Sequence, residues 1–228
     1  MSQQSLYRTA AIALVLGAVI VTLGNLLAPQ GDARSAVASG LYYPMGVAVL
    51  VGGLLVMGAW PAVYLRQRLE TGLLGLAGFV LVLAAGMALT VGFPLLQLLT
   101  YPWIATLAVS NRTLDAGPVV FTVFFAVTSG VVTLGGILFG AASLRAGVFS
   151  RALSVVFIVL VVASAVLGFL SLPGGGGIQM SWWWGTTGTF GVVAYMIGLC
   201  WFGIELFRAP TPRAGVVGTA EADPRLTG

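Results

Sequence analysis

Few side chains in this sequence carry the groups that proteins use for catalysis. The 228 residues include no histidine and one cysteine, Cys200, and all ten basic residues are arginines. An imidazole base, a histidine-ligated haem or metal and a lysine Schiff base are therefore excluded. One cysteine forms neither an internal disulfide nor an iron–sulfur cluster. The sequence predicts a protein that is not an enzyme and that binds no cofactor or metal.

Carboxylates near apolar segments are the next candidates, because proton relays inside membranes depend on them. None lies in the middle of an apolar stretch, and Asp115 and Glu205 lie closest to one. Arg208 follows Glu205 at a spacing that places both on one helical face. The two form either an interfacial ion pair or a gate for proton entry. Asp115 precedes Pro118 and is expected to cap a helix at the positive end of its dipole.

Small residues recur at alternating steps of four and three along one apolar stretch, which keeps them on one helical face. We call this face the small-residue stripe; it consists of Thr122, Ala126, Ser129, Thr133, Gly136, Gly140 and Ser143. One interpretation is tight packing in a bundle centre, since glycines four apart let membrane helices approach closely. The other is a narrow polar path or ligand cleft lined by its hydroxyls. Both interpretations place the nearby phenylalanines, which lie off the stripe, outward or in side pockets; they are Phe121, Phe124, Phe125 and Phe139.

Aromatic residues gather near the ends of several apolar stretches. They are Tyr42, Tyr43, Tyr101, Trp103, Trp182, Trp183 and Trp184. Amphipathic rings of this kind anchor spans at the membrane interface. The alternative is a vestibule whose ring faces bind a lipid, a quinone-like molecule or an organic cation.

The elements that must position these residues follow from composition. Hydrophobic residues make up 59% and charged residues 7%, and the mean hydropathy is +1.05. So few charges cannot cover a water-facing surface, and a net charge of +4 is too small for nucleic-acid binding. The partner is therefore expected to be the lipid bilayer. Six stretches are long enough to cross it, namely Thr9–Leu27, Leu41–Leu65, Gly72–Val91, Pro118–Leu144, Ala152–Leu172 and Thr186–Phe207.

The arginines predict the orientation of these six spans. With the N-terminus in the cytoplasm, only Arg34 and Arg112 fall outside, which satisfies the positive-inside rule. A seventh crossing would break this pattern, so Phe93–Leu114 is interpreted as an extracytoplasmic re-entrant or interfacial segment. The expected fold is all-α, a six-helix transmembrane bundle in a prokaryotic cell membrane. Residues 1–209 form one domain with both termini cytoplasmic, and 210–228 form a disordered tail.

Two sequence patterns concern the relation between spans. Gly52-Gly53 and Gly135-Gly136 lie in similar surroundings, each followed by a glycine and a Leu-Arg pair. This pattern suggests that the second and third spans repeat as the fourth and fifth, although apolar sequence also matches itself by chance. The turn from Arg145 to Arg151 resembles the Arg-x-Gly-x-x-x-Arg turn of uncharacterised bacterial multi-pass membrane proteins. The resemblance implies helices on both sides of the turn and carries no function.

Two function classes fit these observations. The first is a non-catalytic membrane protein, meaning a scaffold, a binder of a lipophilic ligand, or a small subunit of a larger membrane complex or homo-oligomer. The second is a transporter or channel for a neutral or apolar solute, using a cleft beside the fourth span. A dry bundle centre favours the first class and a continuous wet cavity favours the second.

Overall fold

The computed structural model describes residues 3–29, 33–106, 119–170 and 186–208. Within these ranges the secondary structure is entirely helical, which confirms the predicted all-α class. Four helices are long and apolar enough to cross a membrane: Gln4–Leu27, Tyr42–Trp103, Ala126–Ala146 and Thr189–Arg208. Arg151–Leu167 is a shorter apolar helix. Asp115 and the tail 210–228 lie outside the described residues.

The helices follow the apolar stretches of the sequence. In chain order they are α1 (Gln3–Leu27), α2 (Ala33–Ala38), α3 (Tyr42–Met87), a π-helical turn (Ala88–Gly92), α4 (Phe93–Thr106), α5 (Val119–Ala146), α6 (Arg151–Leu170) and α7 (Thr186–Arg208).

Helix α3 is broken at Gly72, whose φ of 56° and ψ of −154° are not helical. Such a positive φ is easily adopted by glycine alone. The residues on either side pair at nearly equal sequence distance from Gly72: the rings of Tyr64 and Phe79 stack at 4.6 Å, and Gly53 abuts Thr90. The segment is therefore a helical hairpin. We call residues 42–71 its first arm and residues 73–106, which continue through the π-helical turn into α4, its second arm.

Pro94 accounts for the π-helical turn within the second arm. Proline has no N–H, so it cannot donate to the carbonyl of Thr90 four residues earlier. The chain widens there, and the Phe93 N–H donates to the carbonyl of Ala88 instead. A local i→i+5 turn of this kind keeps the helix continuous. Residues 93–106 are thus helical; residues 107–114 lie outside the described part, so the re-entrant or interfacial segment stays a prediction.

Neighbouring helices meet at glycines, where an added Cβ would come within 3.0 Å of the facing helix. The pairs are Gly17 with Gly52, Gly53 with Thr90, Gly135 with Leu81, Gly136 with Val161, Gly198 with Phe157, and Gly203 with Val15. Within each of these interfaces, the residue numbers in contact rise along one helix as they fall along the other. Adjacent helices are therefore antiparallel. The two hairpin arms, α5, α6, α7 and α1 therefore form a closed ring in that order.

One end of this ring carries the arginines. The Arg66 guanidinium lies 5.7 Å from the Tyr7 ring centroid, and that of Arg8 lies 6.0 Å from the Phe207 ring. These contacts join the start of α1, the turn of the hairpin and the end of α7. We call this the arginine end; it holds Arg8, Arg66, Arg68, Arg145, Arg151 and Arg208. At the opposite, tyrosine end, Tyr42 and Tyr101 pack beside α2, which carries Arg34.

Candidate functional site

Four aromatic side chains fill the centre of the ring. Trp60 on the first arm lies 4.9 Å from Phe139 on α5, 6.1 Å from Phe157 on α6 and 5.6 Å from Phe202 on α7, measured between ring centroids. All four are 0% exposed. We call them the aromatic layer. Edge-to-face pairs such as Phe157 with Phe202 add about 0.5–1.5 kcal/mol beyond burial alone.

The structure contradicts the prediction for Phe139 and confirms the prediction for Phe124. Phe139 was expected to face outward or into a side pocket, but it lies at the bundle centre. There its ring packs against Trp60 and Phe202, and Gly78 on the second arm leaves room for the Phe139 backbone to approach closely. Phe124 is exposed, as predicted, whereas the side chains of Phe121 and Phe125 are outside the described part. At the level of Trp60, packed rings occupy the bundle centre.

Buried polar atoms lie on both sides of the aromatic layer. On its arginine side are Gln67 and Ser143, and on its tyrosine side are Thr189 and Tyr195. Within the described ranges the amide of Gln67 and the hydroxyls of the other three have no hydrogen-bond partner. An unpaired buried polar group costs about 1–3 kcal/mol. Of these four residues, only Ser143 belongs to the small-residue stripe; no pattern in the sequence marks the other three.

The small-residue stripe faces α6. An added Cβ would meet Val161 at Gly136 and Ile158 at Gly140. The Thr133 hydroxyl donates to the carbonyl of Ser129 at 2.7 Å, so it is engaged within its own helix. Ala126, Ser129 and Thr133 are half-buried, and the side chain of Thr122 is outside the described part. The contacts at Gly136 and Gly140 are of the kind that tight helix packing requires, and the polar path or ligand cleft stays a prediction.

The aromatic residues of the predicted vestibule differ in burial, although the rings of Tyr42 and Tyr43 meet edge to face at 5.0 Å; the vestibule stays a prediction. Tyr42 and Tyr101 are buried and stack at 6.2 Å, and the Tyr42 hydroxyl donates to the Gln97 carbonyl at 2.7 Å. Together they hold α2 against the ends of both arms. Tyr43 and Trp103 are 52% and 63% exposed, as interfacial anchors are. The three tryptophans Trp182, Trp183 and Trp184 lie outside the described residues.

Glu205 forms hydrogen bonds with Ser150, a contact that the sequence did not predict. Its carboxylate accepts hydrogen bonds from the Ser150 N–H, at 2.9 Å, and from the Ser150 hydroxyl. The same hydroxyl oxygen accepts from the Leu153 N–H at 3.2 Å, which makes Ser150 the N-cap of α6. These hydrogen bonds link α7 to the N-terminus of α6, where a negative charge is favourable. The ion pair with Arg208 and the gate both stay predictions.

The two glycine pairs of the suggested repeat occupy similar positions. Gly52 contacts α1, and Gly135 contacts the second arm, so each first glycine meets the helix before its hairpin. Gly53 contacts the second arm, and Gly136 contacts α6, so each second glycine meets its own hairpin partner. Equivalent contacts support an internal repeat of the two hairpins.

No group of three or more His, Cys, Asp or Glu side chains suited to a metal occurs in the described ranges. Cys200 is a free thiol, half-buried in α7. Comparison of the chain with protein families, with characterised proteins and with solved structures finds no match.

Proposed function

We propose that this chain is a non-catalytic, multi-pass protein of a prokaryotic cell membrane that crosses the bilayer six times, with both termini in the cytoplasm. The spans are α1, the first arm, residues 73–92 of the second arm, α5, α6 and α7. Residues 42–71 at 1.5 Å each cover about 45 Å, which exceeds the hydrocarbon thickness of about 30 Å. The gathering of Arg8, Arg66, Arg68, Arg145, Arg151 and Arg208 at one end supports a cytoplasmic arginine end.

The extracytoplasmic side is then the tyrosine end. The second arm ends there, and Phe93–Leu114 is proposed to form an interfacial segment against α2 and the start of the first arm. Exposed Trp103 and Tyr43 suit the headgroup region.

The observation that carries the functional proposal is the aromatic layer. Four interlocked rings at 0% exposure close the bundle centre, and tight glycine contacts close the gaps between helices. Such a centre favours a scaffold or a small subunit of a larger membrane complex or homo-oligomer. A lipophilic ligand such as a lipid or quinone-like molecule would then bind on the outer, apolar surface, where many large hydrophobic side chains are exposed.

A transporter for a neutral solute is the second candidate. The observation that favours it is the set of unpaired polar atoms on each side of the aromatic layer, Gln67 and Ser143 on one side and Tyr195 and Thr189 on the other. Transport would require Trp60 and Phe202 to move apart, and a cleft beside the small-residue stripe would then provide the route.

Solute flux into proteoliposomes separates the two candidates. We expect vesicles that contain the purified protein to swell in urea or glycerol gradients at the rate of protein-free vesicles, because the aromatic layer closes the centre. Stopped-flow light scattering measures the rate. A saturable increase in the rate would contradict a closed bundle and support transport. In that case Thr133→Val and Ser129→Ala would show whether the route follows the small-residue stripe.

A further inference from the structure

The side chain of Gln67 is an unusual feature of the buried core. It is 0% exposed, and neither its amide oxygen nor its amide nitrogen has a hydrogen-bond partner within the described ranges. The neighbouring Thr71 hydroxyl donates at 3.0 Å to the backbone carbonyl of Gln67, not to its side-chain amide. Ser143 is also 0% exposed, and its hydroxyl is likewise unpaired.

The register of the helices places Gln67 and Ser143 on the same side of the aromatic layer. Trp60 and Phe139 are in contact, and the first arm and α5 both run from there toward the arginine end. Ser143 follows Phe139 by about one helical turn, and Gln67 follows Trp60 by about two turns. Both side chains therefore lie in the core between the aromatic layer and the arginine end.

Apolar side chains surround this part of the core. Val63 on the first arm, Leu153 on α6 and Leu206 on α7 each lie about one turn beyond the aromatic layer and are 2% exposed or less. Every buried polar side chain in the described part of the chain is uncharged. An ion would lose its hydration there without a compensating charge, so only a neutral molecule suits the place.

We propose that Gln67 and Ser143 form an internal binding site for a small, uncharged hydrogen-bonding molecule, either water or a solute that carries both a donor and an acceptor. The Gln67 amide offers an acceptor oxygen and a donor nitrogen, and the Ser143 hydroxyl offers both. A molecule bound between them supplies the partners that the protein does not. Buried water makes about three such hydrogen bonds in typical sites. The site does not depend on the proposed function, since a closed scaffold and a transporter could each contain it.

A double-mutant cycle tests the site. Gln67→Met keeps the length of the side chain and removes both polar atoms, and Ser143→Ala removes the hydroxyl. The two side chains make no direct hydrogen bond within the described ranges, and a molecule that bonds to both is expected to couple them. We expect each single variant to lower the melting temperature and the double variant to melt within about one degree of Gln67→Met. Melting shifts that add, or a Gln67→Met variant that melts higher than the wild type, would overturn the proposal.

A high-resolution structure of the wild-type protein in lipid nanodiscs gives an independent readout. We expect density within hydrogen-bond distance of the Gln67 amide and the Ser143 hydroxyl. Native mass spectrometry then distinguishes the sources: an added mass identifies a solute, and the bare protein mass identifies water, and either result together with that density supports the site. A well-ordered Gln67 amide with no density beside it would overturn the proposal.

Discussion

Replacing Gly78 by alanine is expected to lower the free energy of unfolding by about 3 kcal/mol, the upper part of the usual range for overpacking. A Cβ at this position would lie 2.8 Å from the Cα and still closer to the backbone nitrogen of Phe139, and 2.9 Å from the Gly135 carbonyl oxygen. Backbone atoms of α5 cannot rotate away as a side chain can. The second arm and α5 would have to separate, and Phe139 would leave the aromatic layer. Chemical unfolding of the purified protein in detergent measures the change.

Two matched variants serve as controls for Gly78→Ala. Gly58 on the first arm and Gly130 on α5 have open space where a Cβ would lie, so Gly58→Ala and Gly130→Ala should leave stability unchanged or raise it slightly. Gly140→Ala should fall between the extremes, because its closest neighbours are atoms of the flexible Ile158 side chain. Equal effects at Gly78 and Gly58 would show that the second arm and α5 are not in the contact described here.

The second large effect is expected for Trp60→Ala, at about 3–5 kcal/mol of lost stability. Trp60 contacts three other rings of the aromatic layer, and its removal would leave a cavity that helices already tied by glycine contacts cannot fill. Phe124→Ala is the control, because Phe124 is an exposed aromatic residue on α5, and its loss should cost much less. Thermal unfolding followed by near-ultraviolet circular dichroism detects both changes. A Trp60→Ala variant as stable as the wild type would contradict a packed centre.

Much of the helical architecture could be predicted from composition and apolar length. The break between Leu65 and Gly72 was visible in the sequence because charged residues and a glycine interrupt two apolar runs, and the hairpin turns at that glycine. The arginines were expected on one side, and the contacts of Arg8 and Arg66 place them together. These features depend on local sequence, and they could therefore be predicted from it.

The inward-facing residues were harder to predict. A helix in lipid is apolar on all sides, so periodicity does not separate its core face from its lipid face. Phe139 was therefore assigned to the wrong side of α5. Gln67 lies between Arg66 and Arg68, outside the predicted spans, although its side chain is buried in the core.

Contacts between residues that are far apart in the sequence could not be predicted either. The hydrogen bonds between Ser150 and Glu205 depend on how α7 packs against α6. Arg208 is three residues away and was the natural expectation from helical spacing. Only the tertiary arrangement brings the N-cap of α6 to the carboxylate.

The cytoplasmic position of the arginine end is the central claim of the proposed topology. Single cysteines at Gly40, near the tyrosine end, and at Glu70, beside the hairpin turn, report on it directly in a Cys200→Ala background. Both positions are exposed. We expect a membrane-impermeant maleimide to label Gly40→Cys in intact cells and to label Glu70→Cys only after the cells are permeabilised. Labelling of both cysteines in intact cells, or of Glu70→Cys alone, would contradict a first arm that crosses the membrane with the arginine end in the cytoplasm.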